Sequence, residues 1–211
     1  MNAPSPGVLT WTVLVLNVAY VLLLASRMAA SRVRGASTPP APGPAPVAGR
    51  HVRSNRATPT LILIVAVAAV YYLSLLAWLA GVPRMGAALM ETSWLTYGAG
   101  VLLSIAGLLL MGWTYAIFAS WRWRAEVAPG HQLITRGPFR MVRHPIYLSF
   151  ALFYVGAYFL LPYLPFLLHA IASFFAYDYR ARTEEGVLLE AFGNEYRAYR
   201  AQTARYLPRV Y

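Results

Sequence analysis

Residues 143–185 read RHPIYLSFALFYVGAYFLLPYLPFLLHAIASFFAYDYRARTEE. Two apolar blocks, 146–161 and 164–177, are punctuated by Pro162 between them and Pro165 at the start of the second. Proline interrupts a helix interior, so the pattern predicts a tight helical hairpin. A hairpin returns the chain to the side it left. Arg143-His144 at its entry and residues 180–185 at its exit are therefore expected to meet. Sites in helical bundles form between helices in this way. The expectation is a mixed-charge pocket that opens to water and abuts lipid. Each block is shorter than the roughly 20 residues of a comfortable span.

Three longer apolar blocks precede the hairpin, at about 7–26, 60–82 and 95–119. Hydrophobic residues make up 59% of the chain and charged residues 12%, a balance that points to membrane. The first block lacks a basic leading region and is long enough to span, so it reads as a retained span, not a cleaved signal. Its one strongly polar residue, Asn17, is expected to bond a neighbouring helix. Gly98, Gly100, Ser104 and Gly107 line the third block. Small residues at that spacing let another helix approach closely, in this chain or in a second copy. Residues 35–49, rich in Pro, Ala and Gly, bury little and read as a linker.

All eighteen basic residues are Arg, and seventeen of them fall in three regions: 27–56, 120–144 and the tail from Arg180. Only Arg84 sits between the second and third blocks. An odd number of crossings puts the three regions on one side. The positive-inside rule makes that side cytoplasmic, with the N-terminus outside. The expected fold is all-α and polytopic: about five transmembrane helices, a C-terminal hairpin and a cytoplasmic amphipathic helix. That last helix is expected over 183–204, where Leu188, Phe192, Tyr196 and Tyr199 share a face. The net charge of +11 is read as lipid-facing, not as a nucleic-acid footprint. With no Cys and no Lys, thiolate catalysis, Cys-ligated zinc and Schiff-base chemistry are excluded. No metal site is expected.

Two polar clusters border the membrane. The first runs from His131 to Tyr147, with Gly137-Pro138 as a turn and Pro145 suited to a helix first turn. A helix start there favours an anion, or His144 simply caps the helix. The second holds Asp178, Arg180, Arg182, Glu184 and Glu185. On a helix Arg180 and Glu184 share a face, a pairing of small value at a surface. Glu184 and Glu185 point about 100° apart, a poor arrangement for a general acid–base dyad.

These clusters resemble the isoprenylcysteine carboxyl methyltransferase family, of the phospholipid methyltransferase-like membrane enzymes. The likeness rests on Gly137-Pro138-Phe139, Arg143-His144-Pro145-Ile146-Tyr147, Arg180, Glu184-Glu185, Phe192-Gly193, Tyr196, Tyr199 and Leu207-Pro208. It covers roughly residues 120–210. Ser149 and Arg124 depart from the family pattern. The resemblance implies a methyltransferase using S-adenosyl-L-methionine and a lipophilic or lipidated acceptor. It implies that His131, Gln132, Leu133, Ile134, Phe139, His144, Pro145, Ile146, Tyr147 and Glu184 line the cofactor site. It implies that Arg180 holds an acceptor carboxylate, with Arg180 and Glu184 as the catalytic pair. The division that follows is 1–34 as first span and basic flank, 35–59 as linker, 60–119 as second and third spans, and 120–211 as the catalytic part. Oligomeric state is left open. The competing readings are an NADPH-dependent sterol reductase-like enzyme and a non-catalytic accessory protein on the same scaffold.

Overall fold

The structure, a computed structural model, describes residues 3–34, 52–55, 57–82, 85–117, 126–127 and 133–207. Its five α-helices are α1 (Pro6–Arg34), α2 (Ala57–Leu79), α3 (Trp94–Ile117), α4 (Pro145–Leu160) and α5 (Leu164–Gln202). Two-residue strands β1 (Val52–Arg53) and β2 (Glu126–Val127) pair antiparallel. The segments Pro6–Ala29, Thr58–Leu79 and Trp94–Ile117 are long and apolar enough to cross a membrane. The 16 residues of α4 give about 24 Å of helix, short of a bilayer core of about 30 Å.

The helices alternate in direction. Tyr97, early in α3, has its hydroxyl 2.7 Å from Thr12 Oγ1, early in α1. Arg27, late in α1, lies over the Tyr115 ring, late in α3. The amide of Leu89, between α2 and α3, donates to the carbonyl of Pro162 in the hairpin turn. The α2–α3 connection and that turn therefore share one end of the bundle. The start of α2, the end of α3, the start of α4 and the later half of α5 share the other. The arginines of the described residues, Arg27 through Arg205, collect at this second end. Arg84 lies outside the described residues.

The tightest pairing is α3 against α4, made by small residues. A Cβ added at Gly107 would sit 2.7 Å from the Ser149 carbonyl, and one at Gly100 would sit 2.9 Å from the Gly156 carbonyl. Ser104 packs on Gly156 between them. Without a hydrophobic drive between helices in lipid, such backbone proximity supplies the van der Waals contact that holds the pair. The small-residue face is thus spent on α4, within the chain. Gly98 stands apart, with nothing within 4 Å of an added Cβ. The Asn17 expectation holds: its Oδ1 accepts from Tyr71 of α2 at 3.0 Å.

The amphipathic segment is not a separate helix. It is the continuation of α5 past Tyr177, broken only at Gly193, whose φ is 52°. Gly186 stays helical despite its propensity cost, because the flanking face is buried. Phe192 and Tyr196 are buried there, with Val127 of β2, Val187 and Ala191. Glu190, Glu195, Arg197 and Arg200 are exposed.

Candidate active site

The entry and exit of the hairpin do meet. His144 occupies the N-cap position of α4, but its side chain makes no cap hydrogen bond. The ring instead lies between two carboxylates of α5. Glu184 Oε2 is 3.8 Å from Nδ1, and Glu185 Oε1 is 3.3 Å from Nε2. Adjacent acids on a helix diverge by about 100°, which lets them approach opposite nitrogens of one imidazole. They do not form a dyad with each other.

Glu184 Oε1 accepts from the Tyr147 hydroxyl at 2.7 Å and from Arg180 Nε at 3.1 Å. The Arg180–Glu184 pair is not a surface pair. Arg180 is 2% exposed, enclosed where α2 and α5 pack. Its Nη1 donates to Thr60 Oγ1, at the start of α2, at 2.8 Å. The Glu184 side chain keeps 23% exposure, so this carboxylate reaches the edge of the cluster. The His144 and Tyr147 rings stack at 5.6 Å, and Tyr147 stacks on Tyr177 at 5.4 Å.

Glu185 faces the other way and is buried among cations. Arg143 Nε lies 3.0 Å from Oε1, and Arg205 Nη2 lies 2.9 Å from Oε2. Burial alone would push the Glu185 carboxyl up. Hydrogen bonds from His144 and Arg205, with the charge of Arg143 nearby, outweigh it and hold the group well below the usual carboxylate range. Arg205 also reaches Asp178 Oδ1 at 3.1 Å, while the exposed Arg182 takes Asp178 Oδ2.

The chain after α5 folds back to the start of α4. Val142 and Ala204 form a parallel bridge. The amides of Arg143 and His144 donate to the carbonyls of Ala204 and Arg205 at 2.8 and 3.2 Å. The Arg143 guanidinium donates to the carbonyls of Thr203 and Arg200. Backbone carbonyls of the tail thus hold the amides of Arg143 and His144, just ahead of α4. Arg143, Glu185 and Arg205 belong to the site's framework; the first two were expected at the pocket without a ligand-lining role, and Arg205 was not expected there. Arg205 read as one more basic tail residue, and nothing local to it signals a partner 20 positions earlier.

The other expected lining residues divide. Pro145, Ile146 and Phe139 are buried at the same end. The Phe139 carbonyl accepts from the Tyr199 hydroxyl at 2.7 Å, tying the Gly137–Arg140 turn to α5. Leu133 packs beside the Val127–Phe192 cluster, and Ile134 is half-buried. His131 and Gln132 lie outside the described residues.

Comparison with known proteins bears on this arrangement. Residues 95–195, from α3 through most of α5, match the family model of phospholipid methyltransferases. The solved structure of the eukaryotic intramembrane Ras methyltransferase ICMT (isoprenylcysteine carboxyl methyltransferase) superposes with a TM-score of 0.52. The chain has an ICMT-like fold. Identity to that protein is 21%, over 74% of this chain and 55% of the other, so the chain spans about half its length. No curated protein sequence matches the chain. In this ICMT-like fold the polar cluster sits where α4 and α5 leave the apolar bundle, and the family match includes every member of it except Thr60 and Arg205.

Proposed function

We propose that the chain is an S-adenosyl-L-methionine-dependent methyltransferase that methylates a carboxylate on a lipophilic, isoprenylcysteine-like acceptor. The observation that carries this reading is Arg180. It is a buried guanidinium at the boundary of the apolar bundle, gripped by Glu184 and Thr60. Arginine stays charged at any working pH and matches a carboxylate with two parallel N–H bonds.

The donor set suits the cofactor's charge. Its amino group and sulfonium are cationic, and the part-exposed Glu184 offers a carboxylate beside the stacked His144 and Tyr147 rings. Leu133, Ile134 and Phe139 supply apolar surface for the adenosyl portion. When bound, the group supplies an electrophilic methyl on a sulfonium. A carboxylate acceptor is already ionised at pH 7 and requires no general base. The site's own work is then orientation and charge: Arg180 aligns the acceptor oxygen, and Glu184 holds the cationic end. The surrounding apolar helices exclude water. The arginine-rich end of the bundle is cytoplasmic in this reading, with five crossings and lipid around α1 to α5.

A second acceptor is favoured by the family match, whose name points to a phospholipid. An amine head group would have to lose a proton on methylation. Glu185 is held ionised among cations and is a weak base, which weighs toward the carboxylate acceptor. The deciding experiment is calorimetric binding of S-adenosylhomocysteine and, separately, NADPH to detergent-purified protein. Micromolar binding of the first alone is expected. Binding of NADPH alone would replace this reading with the reductase one, and binding of neither would favour the accessory-protein reading.

A further inference from the structure

We infer that the polar cluster works as a charge gate: it binds the acceptor carboxylate strongly opposite a cationic cofactor and weakly opposite the demethylated one. The inference rests on the proposed reading of Arg180 and Glu184 and states how the two ligands of that site depend on each other.

The argument is a count of charges. Ion pairs join three acids, Asp178, Glu184 and Glu185, to three enclosed arginines, Arg143, Arg180 and Arg205. With the His144 ring neutral between Glu184 and Glu185, the cluster sums to zero. The further bonds of Arg180, to Thr60 and Tyr147 among them, hold the guanidinium and add no charge. Among the described residues, Arg136, Arg140, Arg182, Arg197 and Arg200 are exposed at this end, where water and salt screen them. Arg27 is engaged over the Tyr115 ring of α3. A net charge is costly where burial lowers the effective dielectric.

Each ligand alone unbalances the count. S-Adenosyl-L-methionine brings a net positive charge, the sum of its sulfonium, amino and carboxylate groups. An acceptor carboxylate alone brings a net negative one. Together they restore neutrality, so each favours the other, and by the same factor. Methyl transfer breaks the C–S bond, leaves its electron pair on sulfur and forms a C–O bond from a carboxylate lone pair. No proton moves, and both charges vanish in that step, so the site is neutral before and after it. S-Adenosylhomocysteine with a fresh carboxylate leaves a net negative charge, so the cluster disfavours that unproductive pair.

The test is titration calorimetry on the full chain in detergent. Sinefungin replaces the sulfonium by an amine, keeps the positive charge and transfers no methyl. N-Acetyl-S-farnesylcysteine is expected to bind about tenfold tighter with saturating sinefungin than with saturating S-adenosylhomocysteine, an ordinary size for coupling between two sites. Its neutral methyl ester is expected to show no preference. Equal affinity of the acid with both nucleosides overturns the inference, and so does an ester that follows the acid. Substitutions check the count with no acceptor present. Glu184→Gln removes a negative charge and is expected to weaken sinefungin about tenfold more than S-adenosylhomocysteine, again the scale of such coupling. Arg180→Gln removes a positive charge and is expected to shift that ratio the other way. Direct attraction between the two ligands would leave both ratios unmoved, and that result overturns the role of the cluster. If the farnesylcysteine acid binds under no condition, the acceptor reading fails and the two ratios still decide the gate. If neither nucleoside binds, the cofactor reading and the gate fall together.

Discussion

Arg180 and Glu184 share one face of α5 but meet different chemistry, and substitution separates them. Arg180→Ala is expected to abolish methyl transfer while S-adenosylhomocysteine binding persists. Glu184→Gln is expected to weaken that binding about tenfold, the scale of a hydrogen bond to a charged group. Equal losses in both assays for Arg180→Ala would assign it a structural role. Glu185 is the framework acid. Its folded carboxyl is held below its ordinary value, so the stability it contributes is complete above about pH 4.3 and falls away as pH drops below that. Glu185→Gln leaves Arg143 and Arg205 short of a buried partner, at a cost of about 3 kcal/mol. Thermal unfolding from pH 7 to 3 is expected to fall less steeply in Glu185→Gln than in wild type. Identical slopes would remove Glu185 from that role. At this scale the two site clusters were legible in the sequence, because charged residues bordering apolar blocks are conspicuous. Arg205 and Thr60 were not. Their significance is a contact across 20 and 120 positions, which no local pattern encodes.

At the scale of elements, α3 and α4 cohere through missing side chains. Gly107→Leu would force atoms into the Ser149 carbonyl, 2.7 Å from an added Cβ. Overpacking of this kind costs about 1–3 kcal/mol, so a lower melting temperature in detergent is expected. Gly98→Leu, facing open space, serves as the matched control and is expected to leave it unchanged. Comparable losses in both would contradict the packing account. The small-residue spacing was readable in advance, but not its partner. Ser149, a departure from the family pattern, is explained here. It is fully buried, its hydroxyl donates to the Ile146 carbonyl at 2.6 Å, and its backbone lies where α3 comes closest. The later half of α5 was expected as an amphipathic helix over 183–204, broken where Gly186 and Gly193 lower local propensity. Burial against β2 overrides that penalty at Gly186, while the positive φ at Gly193 marks the one break.

Over the whole molecule, alternating helix direction gathers the basic segments at the end that holds the site. The chain has no Cys, so single cysteines report sidedness cleanly. Ala201→Cys, at the end of α5, is expected to react with a membrane-impermeant maleimide only after cells are opened. Ala87→Cys, in the α2–α3 connection, is expected to react from outside. The reverse pattern would invert the proposed topology. The tail belongs to this scale as well. Residues 203–205 close the chain onto the start of α4, joining the matched segment to residues beyond it.

The membrane class, the apolar blocks, the hairpin and the family likeness were determined by the sequence alone. They depend on composition and periodicity, and lipid rewards those directly because a span must satisfy its own backbone and present apolar side chains. Which carboxylate faces which cation was decided only by tertiary structure. Glu184 and Glu185 are adjacent and chemically alike. One turns to Tyr147 and Arg180 and the other to Arg143 and Arg205. The helical rotation of about 100° between neighbours, set against α2 and the returning tail, separates a part-exposed acid from a buried anchor.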